Sequence, residues 1–208
     1  MKPGDAPPPS NRAVEAAPAP TRRPLDPEES RWIEQARHGD IEAFGSLVER
    51  HRDRAYTLAL RIVRSPNEAE EVAQDAFVRV WRALPGFRGD AAFSTWLHRI
   101  VVRRALDRAA VLRTRRAREY PVDDVPEVAE AGPGVPDPAT RATRQKLERL
   151  VSELSEAQRA VVTLFYYEDR SVDEVARMLD MPENTVKTHL SRARAALRGA
   201  WLASGEES

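Results

Sequence analysis

Apolar residues at helical spacing are the feature of this 208-residue sequence that most constrains its fold. They recur three and four positions apart through most of the chain, and no segment alternates apolar and polar residues with period two over any length. The clearest stripe lies between residues 70 and 83 and consists of Val72, Ala73, Ala76, Phe77, Val80 and Trp81. Helical spacing without strand alternation predicts an all-α protein.

Capping residues and turn formers mark where these helices begin and end. The pattern predicts a helix from about residue 28, a break at 38–40 and a longer helix over 41–63. Ser65 then predicts the N-cap of the helix that carries the clearest stripe. Glu68, three residues later, predicts a capping box in which its side chain reaches back to the Ser65 backbone.

An aromatic loop and an arginine-rich helix follow that stripe. Pro85-Gly86 ends the first helix, residues 87–95 form the loop, and Trp96 and Leu97 restart an apolar face. The arginines of the second helix and its continuation are Arg99, Arg103, Arg104, Arg108, Arg113, Arg115, Arg116 and Arg118. A basic helix beside an aromatic loop is typical of surfaces that bind single-stranded nucleic acid.

The distribution of prolines and charges divides the chain into domains. Residues 1–27 contain few apolar residues larger than alanine and predict a disordered arm. Acids, prolines and glycines without a basic residue over 121–140 predict a flexible linker. We therefore predict two small helical domains, at 28–112 and 143–204, with the linker at 113–142. The acidic linker offsets the basic helix, so the formal net charge is zero.

The second domain carries a helix-turn-helix pattern. Ser155 is a candidate N-cap, and the pair Ser171 and Glu174 is a candidate capping box. Asp180-Met181 is the predicted turn before a last helix that begins at Pro182. The buried stripe of that helix is Val186, Leu190, Ala193 and Leu197. The side chains on its opposite face that can reach base edges or phosphates in a major groove are Asn184, Lys187, Thr188, Ser191 and Arg192.

Composition argues against several other classes of protein. The absence of cysteine excludes disulfides and thiolate metal sites, and the four histidines are scattered without metal-ligand spacing. There is no phosphate-binding glycine-rich loop, so we expect no enzymatic activity, no cofactor and no metal. No apolar run approaches the roughly 20 residues of a membrane span, and the N-terminus lacks a signal-peptide core. A cytoplasmic protein is the expectation.

Four segments, in this order, carry a resemblance to a known family. They are AEEVAQDAFVRVWRAL at 69–84, FRGDAAFSTWLHRI at 87–100, LSEAQRAVVTLFYYEDRSVDEVARML at 154–179 and MPENTVKTHLSRARAAL at 181–197. Together they resemble the extracytoplasmic-function sigma factors, the minimal two-domain bacterial transcription initiation factors. The resemblance implies that the two domains are sigma regions 2 and 4. It also implies that core RNA polymerase, through its β′ clamp and β flap, and promoter DNA are the partners.

The resemblance also implies roles for particular residues. The helix over 69–84 would dock on the clamp coiled coil of the largest polymerase subunit through Glu71, Gln74, Asp75 and Arg79. The loop would capture a base flipped from the non-template strand of the minus-ten element, using Phe87, Arg88, Phe93 and Ser94. The helix after the loop would hold the melted strand through Arg99, Arg103, Arg104 and Arg108. The minus-thirty-five element would be read by Asn184, Lys187, Thr188, Ser191 and Arg192.

Some points stay open in the sequence. Phe93 can equally be a core residue, as Trp96 and Leu97 are expected to be. Many family members have asparagine where this chain has Arg103, and Ser191 is smaller than the residue often found there, so the promoter bases are not defined. The long linker suggests an anti-sigma protein that binds between the domains. A stand-alone helix-turn-helix regulator with a helical sensor domain is the alternative, although neither a sensor pocket nor a phosphoacceptor aspartate after a strand is evident.

Overall fold

The computed structural model describes residues 26–118 and 138–203, and all the regular structure in these two segments is helical. The prediction of an all-α protein is confirmed for them. The arm at 1–25 and residues 119–137 of the predicted linker lie outside the described residues. The α-helices are α1 (Pro27–Arg37), α2 (Ile41–Val63), α3 (Pro66–Ala83), α4 (Phe93–Arg118), α5 (Pro138–Ser152), α6 (Glu156–Val162), α7 (Val172–Leu179) and α8 (Glu183–Ala203).

Helix α2 is the centre of the first domain and packs against α1, α3 and α4. The predicted break before it is confirmed, because the chain turns at His38 and Gly39, with Gly39 at a φ of 93°. Asp40 is the N-cap, and its carboxylate accepts hydrogen bonds from the backbone N–H groups of Glu42 at 2.9 Å and Ala43 at 3.1 Å. These bonds satisfy two of the four donors that the start of a helix leaves unpaired.

Helix α3 begins as predicted, but without the predicted capping box. Ser65 is the N-cap, yet in the described structure its side chain forms no capping hydrogen bond. Glu68 instead binds the guanidinium of Arg108 on α4. The capping-box prediction is wrong because an ion pair with another helix takes the carboxylate that the box requires.

Helix α4 packs against α2 and α3 of the first domain and against α6 and α7 of the second. Its fully buried side chains include Phe93, Leu97, Val101, Val102 and Ala105. The helix continues to Arg118, six residues past the domain limit predicted at 112. The division into domains at 28–112 and 143–204 otherwise stays a prediction.

The second domain contains two capping boxes, which confirm the predicted N-cap at Ser155 and the predicted capping box at Ser171 and Glu174. Ser155 pairs with Gln158 at the start of α6, and Ser171 pairs with Glu174 at the start of α7. Between these helices a π-helical turn over Thr163–Tyr167 ends at Glu168, whose N–H donates to the carbonyl of Thr163 at 3.1 Å. This turn directs the Glu168 side chain towards the first domain.

The helix-turn-helix has the predicted geometry. Helix α7 ends at Leu179, and its C-cap Asp180 adopts a left-handed conformation with φ 55° and ψ 48°. The backbone N–H of Val186 donates to the carbonyl of Pro182 at 3.2 Å, so α8 starts just after the proline. Val186, Leu190 and Ala193 are buried against the rest of the domain, and their burial fixes which face of α8 is exposed.

The two domains pack directly against each other. Helices α2 and α4 contact α6, α4 also contacts α7, and the π turn lies against α2. Buried residues of both domains form one continuous apolar cluster, with Val101 and Val102 on one side and Val161, Leu164 and Met178 on the other. We call this packing of α2 and α4 against α6, α7 and the π turn the closed arrangement.

Candidate nucleic-acid interface

A pocket of about 140 Å³ lies between helix α1 and the loop that precedes α4. Its volume is close to that of cavities of about 150 Å³ that admit a single six-membered ring. Six of the residues that line it are Ser30, Ile33 and Arg37 from α1 and Phe87, Arg88 and Phe93 from the loop side. The loop residues were predicted from the sequence, whereas the contribution of α1 was not.

The aromatic side chains around the pocket have different roles. Phe93 is only 1% exposed, and its ring centroid lies 5.3 Å from that of His51 and 5.9 Å from that of Phe87. Phe87 is partly exposed and packs on Trp96, with ring centroids 4.8 Å apart. Phe93 therefore belongs to the core and supports Phe87, and in the closed arrangement it offers no surface to DNA.

Arg37 is the residue at this pocket that the sequence reading missed. Its Nη1 donates to Glu34 at 2.9 Å, while its buried Nε has no hydrogen-bond partner within the described part of the chain. A buried N–H without a partner costs free energy, and an acceptor placed in the pocket would remove that cost. No local pattern pointed to Arg37, because it lies about fifty residues before the loop that it faces.

The arginines of α4 divide between two faces. Arg99 and Arg103 are exposed, and among the described residues Arg99 has no ion-pair partner. Arg104 donates to Asp75 at 2.7 Å and to Asp107 at 2.9 Å. Arg108 binds two carboxylates of α3, those of Glu68 and Glu71, the latter at 2.9 Å. Helical spacing separates these faces, because adjacent residues differ by about 100° in direction around the axis.

The ion pairs between α3 and α4 shift the titration of their members. Partial burial of Asp75 favours a higher pKa for its carboxyl group. Hydrogen bonds from Arg79 and Arg104 outweigh this and hold the pKa of Asp75 below its usual value. The hydrogen bond to Glu68, with the charge of Glu71 close by, raises the pKa of Arg108. Four of these charged groups, Glu71, Asp75, Arg104 and Arg108, line a groove of about 270 Å³ between the two helices. The predicted polymerase-binding acids and two of the predicted DNA-binding arginines therefore form one charged network.

The exposed side of α3 carries the predicted polymerase-binding set. Glu71, Gln74 and Arg79 are exposed and Asp75 is half-buried. Arg79 donates to Asp75 at 3.0 Å. Val78, which the sequence reading did not select, is 46% exposed beside them. The face is thus mixed in charge and includes an apolar spot.

The five residues predicted to read DNA on α8 are all exposed. Asn184, Lys187, Thr188, Ser191 and Arg192 lie opposite the buried stripe of the helix. Thr188 Oγ1 donates to the Asn184 carbonyl at 2.8 Å, and Lys187 lies 3.3 Å from the Glu183 carboxylate. Ser94, in the first turn of α4, is partly buried and so less accessible than this set.

Comparison with known proteins matches both domains. The profile of sigma-70 region 2 matches residues 47–118, and that of sigma-70 region 4 matches residues 144–197. RNA polymerase sigma-H factor of Pseudomonas aeruginosa is 33% identical over 82% of this chain and 92% of its own length. The sigma-E factor of Escherichia coli is 34% identical over 79% of this chain and 90% of its own. SigM of Mycobacterium tuberculosis is 38% identical over 76% and 77%.

Solved structures agree with this assignment. CnrH in complex with the cytosolic domain of CnrY is 27% identical, with a TM-score of 0.59 over 85% of this chain and 98% of that one. RpoE from Bartonella quintana, solved with the anti-sigma factor NepR, has the same fold at 20% identity, with a TM-score of 0.61 over 77% and 98%. The chain belongs to the extracytoplasmic-function sigma factors of the sigma-70 family.

Family membership establishes the general function. The protein is a transcription initiation factor whose partners are core RNA polymerase and promoter DNA. The matches cover both predicted domains in the predicted order, which favours this function over a stand-alone regulator. Within 26–118 and 138–203 no helix combines the length and apolarity needed to cross a membrane. The same segments contain no group of three His, Asp or Glu side chains able to hold a metal ion.

Proposed function

We propose that the three exposed surfaces described above divide the work of promoter recognition. The exposed face of α3 binds the β′ clamp of core polymerase. The pocket and α4 bind the melted strand of the minus-ten element. Helix α8 reads the minus-thirty-five element, and the domain that contains α8 contacts the β flap. The observation that carries this proposal is the pocket between α1 and the aromatic loop, which has space for one ring and arginines beside it.

The pocket fits an extruded base. Removing a base from the duplex stack costs a few kcal/mol. Stacking on an aromatic side chain returns about 1–3 kcal/mol per base. Phe87 is the partly exposed ring available for stacking, and Arg37 and Arg88 are donors for base or phosphate oxygens. Phe93 holds Phe87 in position from beneath.

The melted strand follows the face of α4 that carries Arg99 and Arg103. These two arginines are one helical turn apart, about 6 Å along the axis. Arg104 and Arg108 would have to leave their carboxylate partners before they could contact a phosphate. We therefore assign them the role of fixing α4 to α3, so that strand binding and polymerase binding share one rigid unit.

The exposed face of α3 fits a polymerase contact. Its mixed charges, with Val78 exposed among them, resemble the polar rim and apolar centre of a protein–protein interface. A further partner is a cognate anti-sigma protein, since the structural relative from Bartonella quintana was solved with one. The site of action would be the bacterial cytoplasm, where polymerase and the chromosome meet.

Run-off transcription with purified core polymerase on genomic fragments tests this function. We expect transcripts that start at a defined set of promoters and that are absent without the protein. Phe87→Ala and Arg88→Ala should impair strand opening, measured by permanganate reactivity, while core polymerase affinity stays unchanged. Arg52→Ala, an exposed arginine of α2 outside these surfaces, is the matched control. Equal losses of opening and of polymerase affinity would refute a base-binding role for the loop.

A further inference from the structure

Helix α1 forms one wall of the pocket beside the aromatic loop. Ser30, Ile33 and Arg37 line the pocket from this side, and their spacing of three and four residues puts them on one face of the helix. The profile of region 2 begins to match at residue 47, so the match covers the loop but not α1. The family match therefore accounts for the loop side of the pocket and leaves the α1 side without an assigned role.

Polar contacts fix helix α1 to α2. Arg50 of α2 pairs with the N-cap Asp26 at 2.5 Å, and its guanidinium lies over the Trp32 ring, 4.5 Å from the centroid. His51 Nε2 lies 2.5 Å from the carboxylate of Glu29. A wall held in this way presents its side chains in a preformed arrangement, and this reduces the ordering cost of binding a ligand.

Arg37 has one hydrogen-bonding edge to offer a ligand. Its Nη1 is held by Glu34, one turn earlier on α1, at 2.9 Å. Its Nε is buried and has no partner among the described residues. In a guanidinium the Nε–H and one N–H of Nη2 point the same way and form a two-donor fork. The Nε–Nη2 edge of Arg37 is therefore left to donate two parallel hydrogen bonds to one ligand.

A two-donor fork distinguishes among the four bases. Cytosine presents two adjacent acceptors, O2 and N3, on the edge that an unpaired base exposes, and guanine presents O6 and N7. Thymine has an N3–H donor between its two carbonyls, and adenine has its amino group beside N1 and N7, so neither offers two adjacent acceptors. A donor that faces a donor leaves both without a partner, which costs free energy. Arg37 therefore favours cytosine and guanine over thymine and adenine.

The size of the pocket separates the remaining two bases. A volume of about 140 Å³ matches cavities that hold one six-membered ring. Cytosine has a single ring, whereas guanine has two fused rings. Ser30 contributes a hydroxyl oxygen that can accept from the amino group of cytosine, and Phe87 provides the stacking surface. The volume of the pocket and the donors of its α1 wall together fit cytosine.

We propose that Arg37 selects the base that the pocket captures, and that this base is cytosine. The proposal rests on the proposed function, because it takes the capture of a base by the pocket as given. It deepens that function in two ways. It names the base, and it assigns the choice of base to a residue of α1 and not to the aromatic loop.

Binding of a labelled minus-ten strand to the holoenzyme, measured by fluorescence anisotropy, tests this choice. Strands with one abasic site locate the captured position first, because an abasic site there makes Phe87→Ala harmless to binding. Each of the four bases is then placed at that position. We expect cytosine to bind about tenfold more tightly than thymine or adenine, which is within the discrimination of one bidentate pair. Guanine should also bind less tightly than cytosine.

Arg37→Lys separates base selection from phosphate binding. Lysine keeps the positive charge but has no planar fork, so the variant should lose the preference for cytosine over thymine and bind the abasic strand like the parent. Arg31→Lys, at an exposed position of the same helix, is the matched control and should keep the preference. A strand with 3-deazacytosine, which has a C–H in place of N3, tests the contact in the parent chain. It should bind about as weakly as the thymine strand.

The outcomes distinguish the two proposals. Equal binding of all four bases, a preference for a base other than cytosine, or a preference for cytosine that persists in Arg37→Lys would overturn selection by Arg37 and leave base capture intact. Tight binding of the 3-deazacytosine strand would also overturn it. If no abasic site makes Phe87→Ala harmless, the pocket captures no base, and the proposed function of the pocket is refuted.

Discussion

At the scale of single residues, His98 of α4 is a fully buried group whose pKa is strongly lowered. Burial, with the charges of Arg54, Arg170 and His51, lowers the pKa of His98 to about 3 from an ordinary 6.5. The Glu168 carboxylate is the neighbour that favours protonation of His98, and Arg54 already neutralises it. The folded chain therefore holds His98 neutral where the unfolded chain would protonate it.

The free energy of unfolding should consequently fall in acid. Between about pH 6.5 and 3 the unfolded state binds the extra proton, so stability is fully present above pH 6.5 and decreases below it. From pH 6.5 to 5.5 we expect His98 to account for a loss of about 1 kcal/mol. Urea denaturation at both pH values, with His98→Leu as the comparison, measures this share. An equal loss in the variant would contradict the assignment to His98.

Arg37 offers a second test at the residue scale. Arg37→Ala should weaken binding of the minus-ten single strand to the holoenzyme by about tenfold, the loss expected for a contact worth ~1.4 kcal/mol. Fluorescence anisotropy with an intact strand and with strands carrying one abasic site measures the effect. The loss should disappear for the strand that lacks the captured base. Arg31→Ala, an exposed arginine of the same helix, is the control.

At the scale of elements, one face of α4 carries Arg104 and Arg108, which pair with carboxylates of α3, and the face with Arg99 and Arg103 is the one that we propose binds the strand. Arg99→Ala and Arg103→Ala should each lower the slope of log affinity against log salt for single-strand binding by roughly 0.7, because each removes one phosphate contact. Arg104→Ala should leave that slope unchanged and instead weaken core polymerase binding. A change of slope for Arg104→Ala would show that the arginine leaves Asp75 when the strand binds.

The helix starts provide a matched pair of stability tests. Ser171→Ala removes a complete capping box and should lower the free energy of unfolding by about 1 kcal/mol. Ser65→Ala removes a hydroxyl that makes no capping hydrogen bond in the described structure, and should cost much less. Urea denaturation compares the two variants. Similar losses would mean that Ser65 caps α3 in solution.

At the scale of the whole molecule, the closed arrangement predicts weak DNA binding by the free protein. Asp180 lies beside Arg103, so the two proposed DNA-binding surfaces are held together and should not reach both promoter elements at once. In gel shifts we expect little binding to duplex promoter without polymerase and strong binding with it. Tight, promoter-specific binding by the protein alone would contradict both the closed arrangement and the sigma-factor mechanism.

Local sequence patterns correctly predicted the features that depend on neighbouring residues. The break at 38–40, the boundaries of α2, the capping box at Ser171 and the exposed face of α8 all follow from spacing within one or two helical turns. Family resemblance added the two regions, which the comparisons confirm. Such features are readable because the responsible residues are close together in the chain.

Tertiary structure decided which of several possible partners each side chain took. Glu68 pairs with Arg108 and does not form the predicted capping box. Phe93 is a core residue, and Arg37 lines the pocket beside the loop. Glu168 is buried against a helix more than a hundred residues earlier in the chain. The sequence by itself determined the helices and the family. The ion pairs between α3 and α4, and those between the two domains, depended on the tertiary fold because their partners are distant in sequence.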